Sequence, residues 1–212
     1  MEFACHRGQV IDRQLRAAKD RLIEPFIEHL PRILGAATLT TAAAVAGVAA
    51  GLLAAADRRW WALSAWLFGR LLDIVDGTVA RRTGRQSDLG GYLDLMGDTV
   101  AYAAVPLGIA AAHGEREVWA ACAVLLATFY LNTVSWTFLA AVAEKRGAGA
   151  TARGESTTVH MPAGLIEGAE TIVLYTVMLV IPAQAEVLFW AMAALVVVTV
   201  LQRVVWAMRG LR

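Results

Sequence analysis

The chain has 212 residues, 58% of them hydrophobic and 17% charged, and its mean hydropathy is +0.55. That apolar excess excludes an ordinary soluble domain, and its division into separate blocks is the profile of a polytopic membrane protein. The net charge of +1 gives no reason to expect a nucleic-acid partner and informs only through its distribution along the chain.

Residues 1–32 read as a first unit, a cytoplasmic juxtamembrane arm. Ile11, Leu15, Ala18, Leu22, Phe26 and Leu30 recur every three or four positions, while Arg13, Arg16, Lys19 and Arg21 fall mainly between them. This is the pattern of an amphipathic helix on the inner leaflet, bent at Pro25. A solvated helix packed on a neighbouring subunit has the same pattern. Acids and bases are mixed from the start without an early apolar run, so the segment is not read as a secretory signal.

Residues 33–212 form the second unit, the catalytic domain. Six stretches approach the roughly 20 residues needed to cross a hydrocarbon core of about 30 Å. They are 33–56, 60–80, 91–112, 117–143, 163–182 and 186–207. The expected fold is therefore all-α, a bundle of six transmembrane helices with an N-terminal amphipathic interfacial helix. Of 19 Lys and Arg residues, 15 fall in the arm, the 81–90 and 144–162 loops and the tail from Arg203. The opposite connections hold Arg58, Arg59 and Arg116, and Arg70 lies within the second crossing. An excess of cations marks cytoplasmic segments, so both termini are expected on that side. Residues 144–158 read as a long flexible connection. Cys5 and Cys122 are too far apart in this topology for an expected disulfide. Trp60, Trp61, Trp119 and Trp206 fall near crossing ends, as interfacial anchors do.

Between the second and third crossings the chain reads Asp73-x-x-Asp76-Gly77-x-x-Ala80-Arg81, then Gly90-x-x-x-Asp94-x-x-x-Asp98. Carboxylates at mid-bilayer cost about 2.5 to 3.5 kcal/mol each, so four together require a compensating partner. Residues three or four apart share a helix face. If the chain turns back between the two pairs, four hard oxygen donors meet, the ligand type Mg²⁺ and Mn²⁺ prefer. Gly77 and Ala80 remove bulk where a nucleotide approaches, and Arg81 offers a planar fork for phosphate oxygens. Pairing of Asp73 and Asp76 with Arg70 and Arg81 is the plainer alternative. The joint offsets of Asp94, Asp98 and the glycines favour a cation site.

At these residues the chain resembles the CDP-alcohol phosphotransferase family, every fixed position of whose pattern is filled here. The resemblance implies an integral enzyme of a bacterial cytoplasmic membrane that transfers the phosphatidyl group of a CDP-linked lipid donor to a small alcohol and releases CMP. It implies Asp73, Asp76, Asp94 and Asp98 as ligands of two Mg²⁺ or Mn²⁺ ions, with Asp98 also the catalytic base. Gly77, Ala80 and Arg81, with Ser87 in the connecting loop, are the implied nucleotide and diphosphate contacts. A homodimer among membrane lipids is implied as well. Pro31, Thr38 and Thr40 lie where the family often has proline and threonine, but at another spacing, and helix packing accounts for them.

The acceptor is less legible. Lys145, Arg146, Arg153 and Arg203, at cytoplasmic ends of later helices, suit an anionic acceptor or simply obey the positive-inside rule. Glu167 and Glu170 argue the other way, since facing the cavity they would repel a phosphate and favour a neutral polyol, serine or ethanolamine. Pairing with Arg153 or Arg203 would cancel that argument. Asn132 and His160 are further polar candidates. CDP-diacylglycerol is the expected donor, with a CDP-amino-alcohol and a diacylglycerol acceptor as the alternative. Three rivals remain outside this chemistry: a prenyltransferase, a cation transporter and a non-enzymatic scaffold. The compact motif with Gly-x-x-Ala-Arg disfavours the first, and acids at helix ends rather than mid-membrane disfavour the second.

Overall fold

The computed structural model describes residues 36–84, 86–149 and 164–211. The amphipathic arm expected over 1–32 lies outside the described residues, as do 150–158 of the connection expected over 144–158, whose first two residues belong to a helix. Among the described residues six α-helices follow in chain order: α1 (Ala36–Ala55), α2 (Arg59–Thr83), α3 (Asp88–His113), α4 (Arg116–Lys145), α5 (Gly168–Val180) and α6 (Ala185–Gly210). A single 3-10 turn, Pro182–Gln184, separates the last two. No strand occurs among the described residues.

Local chemistry explains the helix ends. Asp57, with φ of 55°, turns α1 into α2, a left-handed conformation that short polar side chains tolerate best after glycine. Ser87 caps α3 by accepting from the Gly90 N–H at 3.1 Å, and Gly114, with φ of 72°, ends that helix by donating to Ala110 O.

By length and composition α1, α3, α4 and α6 are apolar enough to cross a membrane. The other two differ from the simple expectation for physical reasons. Helix α2 has 25 residues but bears the charges of Arg70, Asp73 and Asp76 in its second half. Helix α5 has 13 residues, a rise of about 20 Å against a core of about 30 Å. The fifth stretch starts later than 163 because Gly164–Glu167 is irregular.

Small residues bring the first three helices together. A Cβ on Gly108 would collide with the Gly51 backbone, and one on Gly51 with the Ala104 backbone; one on Gly97 would stand 3.0 Å from Ala44 Cβ. The rising order of these pairs makes α1 and α3 parallel, whereas Gly69 against Ala43 and, further along α2, Asp76 against Thr40 make α2 antiparallel to α1. The start of α1, the end of α2 and the start of α3 consequently share one end of the bundle. Below that end, Trp66 stacks on Tyr175 with centroids 5.3 Å apart, and Tyr102 packs 5.9 Å from Trp66. Tyr175 OH donates to Tyr102 O at 2.6 Å, tying α5 to α3. Large side chains such as Phe68, Tyr130, Phe138 and Leu201 point outward, as a lipid-facing surface requires.

Candidate metal centre and transfer site

The turn between α2 and α3 folds the motif back on itself. Gly90 suits the start of α3, where a Cβ would stand 3.2 Å from the capping Ser87 Oγ. Beyond that turn, carboxylate oxygens of Asp73, Asp76 and Asp94 all lie within 4.8 Å of one another. Asp76 is buried, and the other two are half-buried. Three hard donors so close repel one another unless a cation or protons compensate, and the donor set fits Mg²⁺ or Mn²⁺.

Two residues hold the cluster in place. The hydroxyl of Thr40, buried on α1, donates to Asp76 Oδ2 at 2.5 Å. This corrects the packing explanation for Thr40: the small α1 residues below it let the helix come close enough for that contact. On α2, Arg70 donates from Nη1 to Asp98 Oδ1 at 2.5 Å and lies 3.8 Å from Asp73 Oδ2. Asp98 thus stands beside the trio rather than in it. The alternative pairing of Arg70 with Asp73, three residues on along one helix face, is present; its partner Asp98, 28 positions on, could not be read from spacing alone.

Gly77 and Ala80 lie half-buried on α2 just past Asp76. Arg81 is in the last turns of that helix, but its side chain lies outside the described residues. Ser87 has a definite structural task as the α3 cap.

The later helices place their polar residues at the same end. Arg203, buried on α6, donates from Nη1 to Asn132 Oδ1 of α4 at 2.5 Å. Arg146 donates to the Gly210 and Leu211 carbonyls, both at 3.0 Å, and so closes the end of α6. Lys145 is exposed in the last turn of α4. Arg153 and His160 lie outside the described residues. Glu167 and Glu170, expected as an acidic face toward the acceptor, have a structural task as well. They form a capping box at the start of α5, in which Glu170 Oε2 accepts from the Glu167 N–H at 3.1 Å. Glu167 Oε1 also accepts from the Gly164 N–H at 2.8 Å, and the helix N-terminus favours both charges. Cavities of about 220 and 460 Å³, both bordered by Asp57, Arg59 and Pro182, lie at the opposite end of the bundle.

Fold and site together define a helical integral membrane protein with a divalent-cation donor set at one end. The family model for CDP-alcohol phosphatidyltransferase matches residues 33–206, and the chain belongs to that family. It is 32% identical over 179 residues to the inner membrane protein YnjF of Escherichia coli (strain K12), covering 82% of this chain and 84% of that protein. It is 31% identical over 218 residues to the phosphatidylinositol phosphate synthase of Streptomyces avermitilis, covering 94% and 83% respectively. A crystal structure of the Mycobacterium tuberculosis phosphatidylinositol phosphate synthase in complex with manganese and citrate superposes with a TM-score of 0.66 at 25% identity, covering 85% of this chain and 86% of that one.

Proposed function

We propose that this chain transfers a phosphatidyl group from CDP-diacylglycerol to a small phosphorylated alcohol and releases CMP, with both termini and the site facing the cytoplasm. The observation that carries the reading is the convergence of Asp73, Asp76 and Asp94 from two helices, with Asp98 alongside. The remaining parts of the reading are six crossings, the membrane-surface arm over 1–32 and a homodimer. In this reading Asp73, Asp76 and Asp94 would hold a divalent cation, to which Asp98 is adjacent. That cation supplies charge neutralisation for the diphosphate and the leaving CMP.

The residues of the chain then divide the work. Gly77 and Ala80 leave room for the nucleotide, and Arg81 and Ser87 bind phosphate oxygens. Asp98 takes the proton of the acceptor hydroxyl as its oxygen bonds to the β-phosphorus; the bond from that phosphorus to CMP breaks, and CMP departs with the electron pair. A phosphorylated acceptor is favoured because the glutamates that argued against one are engaged at the α5 N-terminus. Arg203, with Lys145, presents cations at the same end, Arg153 is a further candidate from the sequence, and arginine's planar fork suits a phosphate. The relatives named phosphatidylinositol phosphate synthases point to a phosphorylated polyol.

The test is CMP release by the purified chain with Mg²⁺ or Mn²⁺ and CDP-diacylglycerol, offered inositol phosphate, inositol, glycerol phosphate or serine. Turnover is expected with a phosphorylated alcohol and absent in Asp98→Asn. Arg203→Met should raise the KM for that acceptor roughly 10-fold, as loss of a charge-assisted hydrogen bond does. Turnover with serine or unphosphorylated inositol alone would overturn the acceptor class, and none with CDP-diacylglycerol would overturn the donor.

A further inference from the structure

The connections expected on the far side of the membrane hold three cations, Arg58, Arg59 and Arg116, although cations are disfavoured there. Two of the three are adjacent, where α1 turns into α2, and both border the cavity of about 460 Å³. Both are exposed, and neither has an ion pair among the described residues. The Arg59 Cζ lies 4.9 Å from the centroid of the Trp60 ring. Such a cation–π contact steadies a guanidinium without consuming its N–H donors, which stay available to an acceptor. Asp57, in the same wall, brings one negative charge. The three charged side chains therefore sum to a single positive charge, the complement of a phosphodiester.

The adjoining cavity indicates what kind of molecule carries that phosphodiester. It has about 220 Å³, shares Asp57, Arg59 and Pro182 with the first, and is otherwise walled by Ala54, Ile109, Ala112, Leu179 and Ala183, with His113. His113 Nε2 donates to Pro182 O at 2.8 Å, so that ring donor is used inside the wall, joining α3 to the turn before α6. A cationic mouth beside an apolar slot suits an amphiphile, whose glycerol esters and first methylenes enter a space that offers a soluble anion little. Trp60 and Trp61 border the mouth and are 58% and 68% exposed, and exposed indoles are favoured at the level of the lipid headgroups.

We propose that this end of the bundle binds the phosphodiester of an anionic phospholipid from the leaflet away from the acids, with Arg58 and Arg59 as its ligands. The lipid joins the α1–α2 turn to the α5–α6 turn, and no bond is made or broken. Because the readout is binding, the site stands or falls apart from the transferase reading.

The experiment titrates the delipidated full chain in detergent and counts bound lipid by native mass spectrometry. The probes are phosphatidylglycerol, phosphatidylethanolamine and soluble glycerophosphoglycerol. Arg58→Gln/Arg59→Gln should weaken the tightest phosphatidylglycerol site by at least about tenfold, as loss of charge-assisted hydrogen bonds does. Arg116→Gln, which removes the third cation of that end, should stay within about twofold of wild type. Phosphatidylethanolamine, whose ammonium offsets its phosphate, and the soluble diester should each bind at least about tenfold more weakly than phosphatidylglycerol.

Unchanged binding in the double variant would overturn the proposal. So would equal weakening in Arg116→Gln, which would mean that charge at that end acts as a whole rather than through a built site. Equal affinity for phosphatidylethanolamine would overturn the anionic head, and equal affinity for the soluble diester would overturn a lipid as the occupant. If the double variant fails to fold, Arg58→Gln and Arg59→Gln singly, each expected to weaken binding severalfold, carry the same comparison with Arg116→Gln.

Discussion

Helices α1 to α3 place four acids from a 26-residue span of sequence at one end of the bundle, and α1 joins the two helices that carry them, touching α3 at Gly51, Gly97 and Gly108 and α2 at Gly69. Helices α4 to α6 bring Asn132, Glu167, Glu170 and Arg203 to that end from scattered positions, and each is engaged in holding helices or helix ends. The first half concentrates polar groups that repel one another and so calls for a ligand. The second half gives its polar groups protein partners. Chemistry common to a family can therefore sit in one compact motif, whereas acceptor choice is overlaid on residues that already have structural work.

The sharpest way to break this comparison is Asp76→Asn. Loss of a partner behind a metal ligand already costs about 10–100-fold in affinity or activity, so loss of a ligand should cost more than about 100-fold in both Mn²⁺ binding and CMP release. Titration of Mn²⁺ into the purified variant and a CMP assay check it. Mn²⁺ binding unchanged from wild type would show that the trio is not the cation site, and the contrast between the halves would lose its basis.

How much of this was legible in advance follows the same division. The four acids, the turn between them and the all-helical fold could be read because helical spacing and apolar blocks are local properties. The contact of Thr40 with Asp76 could not, because it depends on how closely α1 approaches α2, which small residues spread over three helices decide. The capping role of Glu167 and Glu170 was not legible for a related reason. A spacing of three places two acids on one face, but it is also the spacing of a capping box, and the irregular backbone at Gly164–Glu167 settles which applies. Pairing of Arg70 with Asp73 was open to a sequence reading, but the rings of Trp66 and Tyr102 that accommodate it arrive from two helices and were not.

A smaller effect separates the glycines of the two halves. Gly108→Ala forces a methyl group into the Gly51 backbone, whereas a Cβ on Gly168 at the start of α5 meets nothing within 4 Å. Overpacking of this kind costs about 1–3 kcal/mol, so Gly108→Ala should lower thermal stability in detergent. Gly168→Ala should stay within about 0.5 kcal/mol of wild type, as unobstructed substitutions do. Equal melting temperatures for the two variants would mean that the close α1–α3 contact is not what holds the first half together.

The smallest expected effect tests the second half on its own ground. Glu170→Ala removes the acceptor for the Glu167 N–H and leaves the rest of the α5 start intact. A capping contribution is about 0.3–1.5 kcal/mol, so stability should fall slightly while the KM for the phosphorylated alcohol stays within about twofold. If the glutamate instead faces the acceptor, removing its charge relieves repulsion of a phosphate and the KM drops severalfold with stability unmoved. Melting and KM therefore shift in opposite patterns under the two roles, and one variant measured both ways distinguishes a residue that builds the second half from one that selects its substrate.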